Sequence, residues 1–161
     1  MNMRSFPEQL DQILTHSVRE ASALEHALQL EGQALSTRDL ETLNLAIAQK
    51  QQQVERLEQL TRDQGALLKR EGYENNAQGM ARCLRDWDAE GVLAPIWDRL
   101  VDLMARCRQL NLANGGVVET KRRHVEQALH ILRGEDPRTE LYGPRGQPTS
   151  AGGKSRTITK A

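Results

Sequence analysis

Two long apolar seams, separated by a short polar break, constrain this chain more than any other feature. The first reads Leu10, Leu14, Ser17, Ala21, Leu24, Leu28, Leu35, and the second Leu40, Leu43, Ile47, Lys50, Val54, Leu57, Thr61, Leu68. Steps of three and four put each set on one face of a helix. The faces are narrow, close to the two apolar positions per heptad of a coiled coil. Between the seams stand Ser36 and Thr37, which offer N-caps, with Asp39 and Glu41 suited to the first turn that follows. So short a link predicts an antiparallel hairpin of helices over 7–35 and 38–70. At about 1.5 Å per residue each helix is on the order of 45 Å long. Pro7 suits the first turn of the first helix, and Gly32 marks fraying near its end.

Composition supports an all-α reading. Leu, Ala, Gln, Glu and Arg dominate, and aromatic residues are only 3% of the 161, which leaves little material for a sheet. Residues 72–79 are rich in Asn and Gly and break the pattern. A short helix over 78–89 carries Met80, Leu84 and Trp87, and Gly91 ends it. A long fourth helix is expected over 94–133, with Ile96, Leu100, Leu103, Cys107 and Leu110 as its first stripe. Trp87 and Trp97 are expected in or near the core at this end. Gly134, Asp136 and Pro137 stop the fourth helix, so the helical bundle spans 1–134 and a flexible tail spans 135–161.

The fourth helix carries a defect. Asn111, Asn114, Gly115 and Gly116 interrupt the stripe before it resumes at Val118, Val125, Leu129 and Leu132. Glycine inside a helix costs roughly 1 kcal/mol against alanine. Either something packs close to the backbone there, or the helix bends or comes apart. The four residues are assigned as a hinge, and alanine at the two glycines should add roughly 1 kcal/mol per site.

Much chemistry is excluded. Lysine plus arginine and aspartate plus glutamate number 22 each, so no overall field attracts nucleic acid or a membrane surface. Cys83 and Cys107 match no ligand spacing and read as small core residues. The N-terminus shows no signal peptide, and no window approaches the roughly 20 apolar residues of a membrane span. A cytoplasmic protein without membrane insertion is expected. The histidines, His16, His26, His124 and His130, lack the Glu-x-x-His spacing of di-iron bundles. His124 sits in the basic run Lys121, Arg122, Arg123, without the small-residue setting of a phosphotransfer histidine. Gly153-Lys154-Ser155 resembles the end of a phosphate loop, but Pro148 stands where that motif needs glycine. No catalytic set, metal site or cofactor is assigned, and the protein is not read as an enzyme.

What remains is surface for partner helices. Val117, Ala128 and Ile131 widen the row Val118, Val125, Leu129 and Leu132 into a face that either docks an external helix or caps the core. Farther on, Leu141, Tyr142 and Gly143 place an aromatic anchor in a breaker-rich tail. Together, Asn111-x-x-Asn114-Gly115-x-x-Val118 and Leu141-Tyr142-Gly143-x-x-Gly146, in this helix order, make the chain resemble the FlgN-type flagellar type III export chaperones. The resemblance implies a cytoplasmic chaperone for hook-associated proteins of the hook–filament junction. It also implies that the C-terminal segment carries the binding, and within that segment the row Val118, Val125, Leu129 and Leu132 is assigned to the helical C-terminal segments of that cargo. It further implies that Leu141, Tyr142 and Gly143 dock on the export gate or its ATPase-stalk components. The basic extension after Gln147 departs from the family pattern. A generic coiled-coil adaptor or stalk component is the alternative.

Overall fold

A computed structural model describes residues 3–115 of the chain. The first helix, α1 (Phe6–Thr37), is followed by α2 (Leu40–Arg70), the short α3 (Ala77–Trp87) and α4 (Leu93–Ala113). Among the described residues there is no strand. The chain is all-α, as its composition implies, and α1 is the shared partner: α2 packs along one side of it and α4 along another.

Side-chain partners fix the directions. Gln9 meets Arg70, Glu20 meets Arg56 and Glu31 meets Lys50, so α2 runs antiparallel to α1. Cys107 lies on Ala21 and Asn114 on Leu28, so α4 runs parallel to α1. The result is an up-down-up bundle, with α3 crossing its base. Most of the expected seam is buried: Leu10, Leu14, Ser17, Ala21, Leu24 and Leu28 on α1, and Lys50, Val54, Leu57, Thr61 and Leu68 on α2. Leu100, Leu103, Met104 and Cys107 complete the core from α4.

Each helix start has a local cause. Ser5 accepts from the Glu8 N–H while the Glu8 carboxylate accepts from the Ser5 N–H, a closed capping box ahead of Pro7. The hairpin link is only Arg38 and Asp39. Arg38 sits in the left-handed region at φ 57°. Asp39, expected inside the first turn, is the cap of α2 and accepts from the Thr42 N–H at 3.1 Å. Asp88 performs the same service for α4. Its carboxylate accepts from the N–H groups of Val92, Leu93 and Ala94 at 2.8–2.9 Å. Partial burial pushes the Asp88 carboxyl up, but the three donors win and hold it below the ordinary carboxylate value.

At the base, Phe6 stacks on Tyr73 with ring centroids 6.5 Å apart and meets Trp87 at 5.1 Å. The Tyr73 hydroxyl donates to Asp86 at 2.6 Å. Trp97 packs half-buried on the core. Trp87, expected in or near the core, covers Phe6 with one face and is 43% exposed. Cys83 and Cys107 are fully buried, and burial pushes their thiols up to about 11 and about 12.

The top end departs most from expectation. The helix expected over 94–133 ends at Ala113, where Asn114 caps it and donates to the carbonyls of Leu110 and Leu112. Gly115 follows at φ 79°, a conformation in which a helix cannot continue. The rest of that span, including Gly116, lies outside the described residues. Gly32 does not fray α1, which runs on to Thr37.

Candidate functional site

The top of the bundle gathers a set of polar residues that heptad logic would place among leucines. Lys50 and Glu31 each keep only 1% of their surface exposed. Lys50 lies on the α2 seam, between Ile47 and Val54. Glu31 follows Leu28 by three residues on the face of α1 that meets α2 and α4. The Lys50 ammonium donates to both carboxylate oxygens of Glu31, at 3.0 and 2.9 Å, and to Asn111 Oδ1 at 3.0 Å. An ammonium carries three donors, so none is left over. Burial pulls the Lys50 pKa down, and the hydrogen bond and charge of Glu31 pull against it.

Asn114 closes the set from the end of α4. Its amide nitrogen donates to the Leu28 carbonyl at 2.9 Å and to Glu31 Oε1 at 2.8 Å. Its amide oxygen stands 2.9 Å from the point where a side chain at residue 32 would begin. Glycine at 32 is what lets the amide lie flat on α1. Three helices are thus joined by one satisfied polar cluster, which fixes the height at which α4 stops.

The hinge residues divide accordingly. Asn111 is buried and Asn114 half-buried, both bonded to the hairpin. Among the described residues nothing lies within 4 Å of a notional Cβ on Gly115, so close packing by them does not explain it. Its φ does, and it follows directly on the end of α4 at Ala113 and its cap Asn114. That φ overturns the gain expected from alanine at this position. Sequence reasoning missed Glu31 altogether, although its seam spacing was a usable signal. Beside the cluster lies a groove of about 580 Å³ along the α1–α4 junction, lined by Leu28, Gln29, Gly32, Gln33, Ser36, Thr37, Leu110 and Asn114.

Val118, Val125, Leu129 and Leu132, and the tail residues Leu141, Tyr142 and Gly143, lie outside the described residues. Among the described residues, no three or more His, Cys, Asp or Glu side chains are grouped to hold a metal ion. Within the same residues no helix is long and apolar enough to cross a membrane.

The family model described as FlgN protein matches residues 1–150. That range includes the apolar row and the Leu-Tyr-Gly segment, and it stops within the basic extension. Among solved structures, the chain is similar to a crystal structure from Pseudomonas aeruginosa assigned to flagella synthesis as FlgN. The two share 31% identity and a TM-score of 0.67, over 81% of this chain and 100% of the other. No curated protein matches the chain.

Proposed function

The chain belongs to the FlgN family of flagellar proteins, and from that membership we propose that it is a cytoplasmic export chaperone of the flagellar type III apparatus. Its cargo is the helical C-terminal segments of hook-associated proteins, which polymerise at the hook–filament junction. The observation that carries this reading is the extent of the family match, which runs past the bundle through both candidate interaction segments. The row Val118, Val125, Leu129 and Leu132 offers an amphipathic cargo helix a complementary apolar face. In sequence it follows directly on Gly115, which stands at φ 79° just past the end of α4. Leu141, Tyr142 and Gly143 then dock on the export gate or stalk. A tail anchor of this kind binds weakly alone and gains when cargo and gate are held together. No step needs a cofactor or ATP hydrolysis by this chain.

The coiled-coil hairpin favours a second reading, a generic adaptor or stalk component, and one titration separates the two. A peptide spanning the C-terminal helix of a hook-associated protein should bind one-to-one by isothermal titration. Val125→Asp with Leu129→Asp should abolish that binding, because a buried unpaired carboxylate is strongly unfavourable, while circular dichroism keeps the helical signal. Tyr142→Ala should spare cargo affinity and weaken binding to the soluble gate domain. A scaffold gives no defined stoichiometry. Intact helicity with unchanged affinity in the double variant would remove this face from the cargo site.

A further inference from the structure

The seam that α1 and α2 present does not stop where α4 stops. The α4 helix ends level with Leu28 and Gly32, where Asn114 is pinned. Above that level α1 continues to Thr37, a rise of about 8 Å at 1.5 Å per residue. On α2, Leu40 to Lys50 covers about 15 Å by the same measure. Both stretches keep the apolar spacing: Leu35 on α1, and Leu40, Leu43 and Ile47 on α2. Lower down, the same seam is buried by α4. Here Leu35 is 43% exposed, Leu40 is 70% exposed, and Leu43 and Ile47 are half-buried. Leu112, in the last turn of α4, is 41% exposed at the same end. A heptad seam that has no partner among the described residues at its upper end is a docking face.

We propose that this face is occupied by the chain's own residues 117–132, which return to the hairpin tip after the break at Gly115. Chain connectivity favours that occupant. The polar cluster delivers the end of α4 to the foot of the open seam, and residue 117 is two positions beyond Gly115. Gly115 takes the left-handed conformation, which glycine adopts without a steric cost, and no described residue stands within 4 Å of a β-carbon there. The occupant's own pattern fits. Val118, Val125, Leu129 and Leu132, flanked by Val117, Ala128 and Ile131, form an apolar face at helical spacing. As a helix, 117–132 is about 24 Å long, enough to cover the unpartnered stretch of α2. The proposal concerns the free protein and does not rest on the chaperone reading. Where both hold, a cargo helix and the hairpin tip compete for one apolar row.

Amide hydrogen exchange of the full chain without cargo tests it. Leu35→Gln with Leu40→Gln changes only exposed side chains, so α1 to α4 should retain their protection. Exchange across 117–132 should accelerate by about tenfold or more as the docked state is lost. Leu45→Gln is the control. Leu45 is 57% exposed but lies two residues from Leu43, off the seam face, and its replacement should leave 117–132 unchanged. Equal exchange of 117–132 in wild type and the double variant overturns the proposal, whether that segment is protected in both or in neither. So does an equal acceleration by Leu45→Gln. Protection of 117–132 that rises with protein concentration assigns the face to a second copy of the chain and also overturns it.

Discussion

The two ends of the bundle are built from the same helices by different chemistry. At the base, Phe6, Tyr73, Trp87 and Leu93 close the core with rings and aliphatic carbon, and Asp88 ties the chain into α4 through three backbone donors. At the top, Glu31, Lys50, Asn111 and Asn114 replace leucines with charge and amide, and above them the seam has no partner among the described residues. Apolar packing is non-directional and tolerates small shifts, whereas a closed hydrogen-bond set tolerates only one arrangement. The base therefore supplies cohesion, and the top supplies a fixed point for the end of α4. A buried ion pair adds little net stability once desolvation is counted. What it gives here is register between α1, α2 and α4.

The largest test of this contrast removes one partner of the pair. Glu31→Met leaves the Lys50 ammonium buried with Asn111 alone and should cost about 3–5 kcal/mol in denaturant unfolding. Adding Lys50→Met to it should recover most of that loss, although the double variant changes more atoms. The base offers the control: Tyr73→Phe deletes one donor to the Asp86 carboxylate at its rim and should cost about 1.5 kcal/mol. If the double variant is no better than Glu31→Met, the cluster is cohesive in the manner of the base and the contrast fails. If the contrast holds, hydrogen exchange at 105–114 in the double variant should rise even where stability is restored, because only the Asn114 bond to the Leu28 carbonyl remains of the polar set that fixes the height of α4.

The core between the two ends should respond to pH through its thiols. Cys83 and Cys107 titrate near 9 when unfolded, and in the fold burial raises them to about 11 and about 12. A folded value above the unfolded one means stability is fully present below pH 9 and is lost as pH rises toward the folded values. Over that window each thiol should contribute a slope of about −1.4 kcal/mol per pH unit. Chemical denaturation at pH 8, 9 and 10 should show a steeper decline in wild type than in Cys107→Val. Equal slopes would mean that Cys107 is not as dry in solution as its packing indicates.

The sequence announced the lower half of the molecule better than the upper. Heptad spacing located α1 and α2 within a few residues and identified Lys50 as a seam position. Glu31 escaped because a single carboxylate among leucines reads as a break in the stripe, and only a cation on another helix makes it a core residue. Asp88 escaped for a related reason. It caps α4 from outside the usual N-cap position, through a turn whose shape sequence spacing does not encode. Asn111 and Asn114 were legible as an anomaly but not as bonds, since their partners are as many as 86 positions away along the chain. Leu35 shows the converse limit: periodicity marked its face, and nothing in the spacing said that α4 would stop below it.

The smallest expected effect distinguishes a helix that bends from one that ends. If α4 ran on through residue 115, Gly115→Ala would gain roughly 1 kcal/mol of helix propensity. With Gly115 at φ 79° and no described residue within 4 Å of a β-carbon there, the same change gains nothing by packing on α1 to α4. It must also hold a β-carbon in the left-handed region, at a cost of roughly 1–2 kcal/mol. Asparagine tolerates that region better than alanine, so the order of stability should be Gly115, then Gly115→Asn, then Gly115→Ala. Denaturant midpoints for the three proteins decide the matter, because the two geometries predict opposite signs for alanine. A destabilised alanine variant places the stop at Gly115 and leaves the polar cluster as the last fixed point of α4. A stabilised one means that α4 continues past residue 115 in solution, and that the open seam at the hairpin tip meets a straight third helix instead of a returning segment.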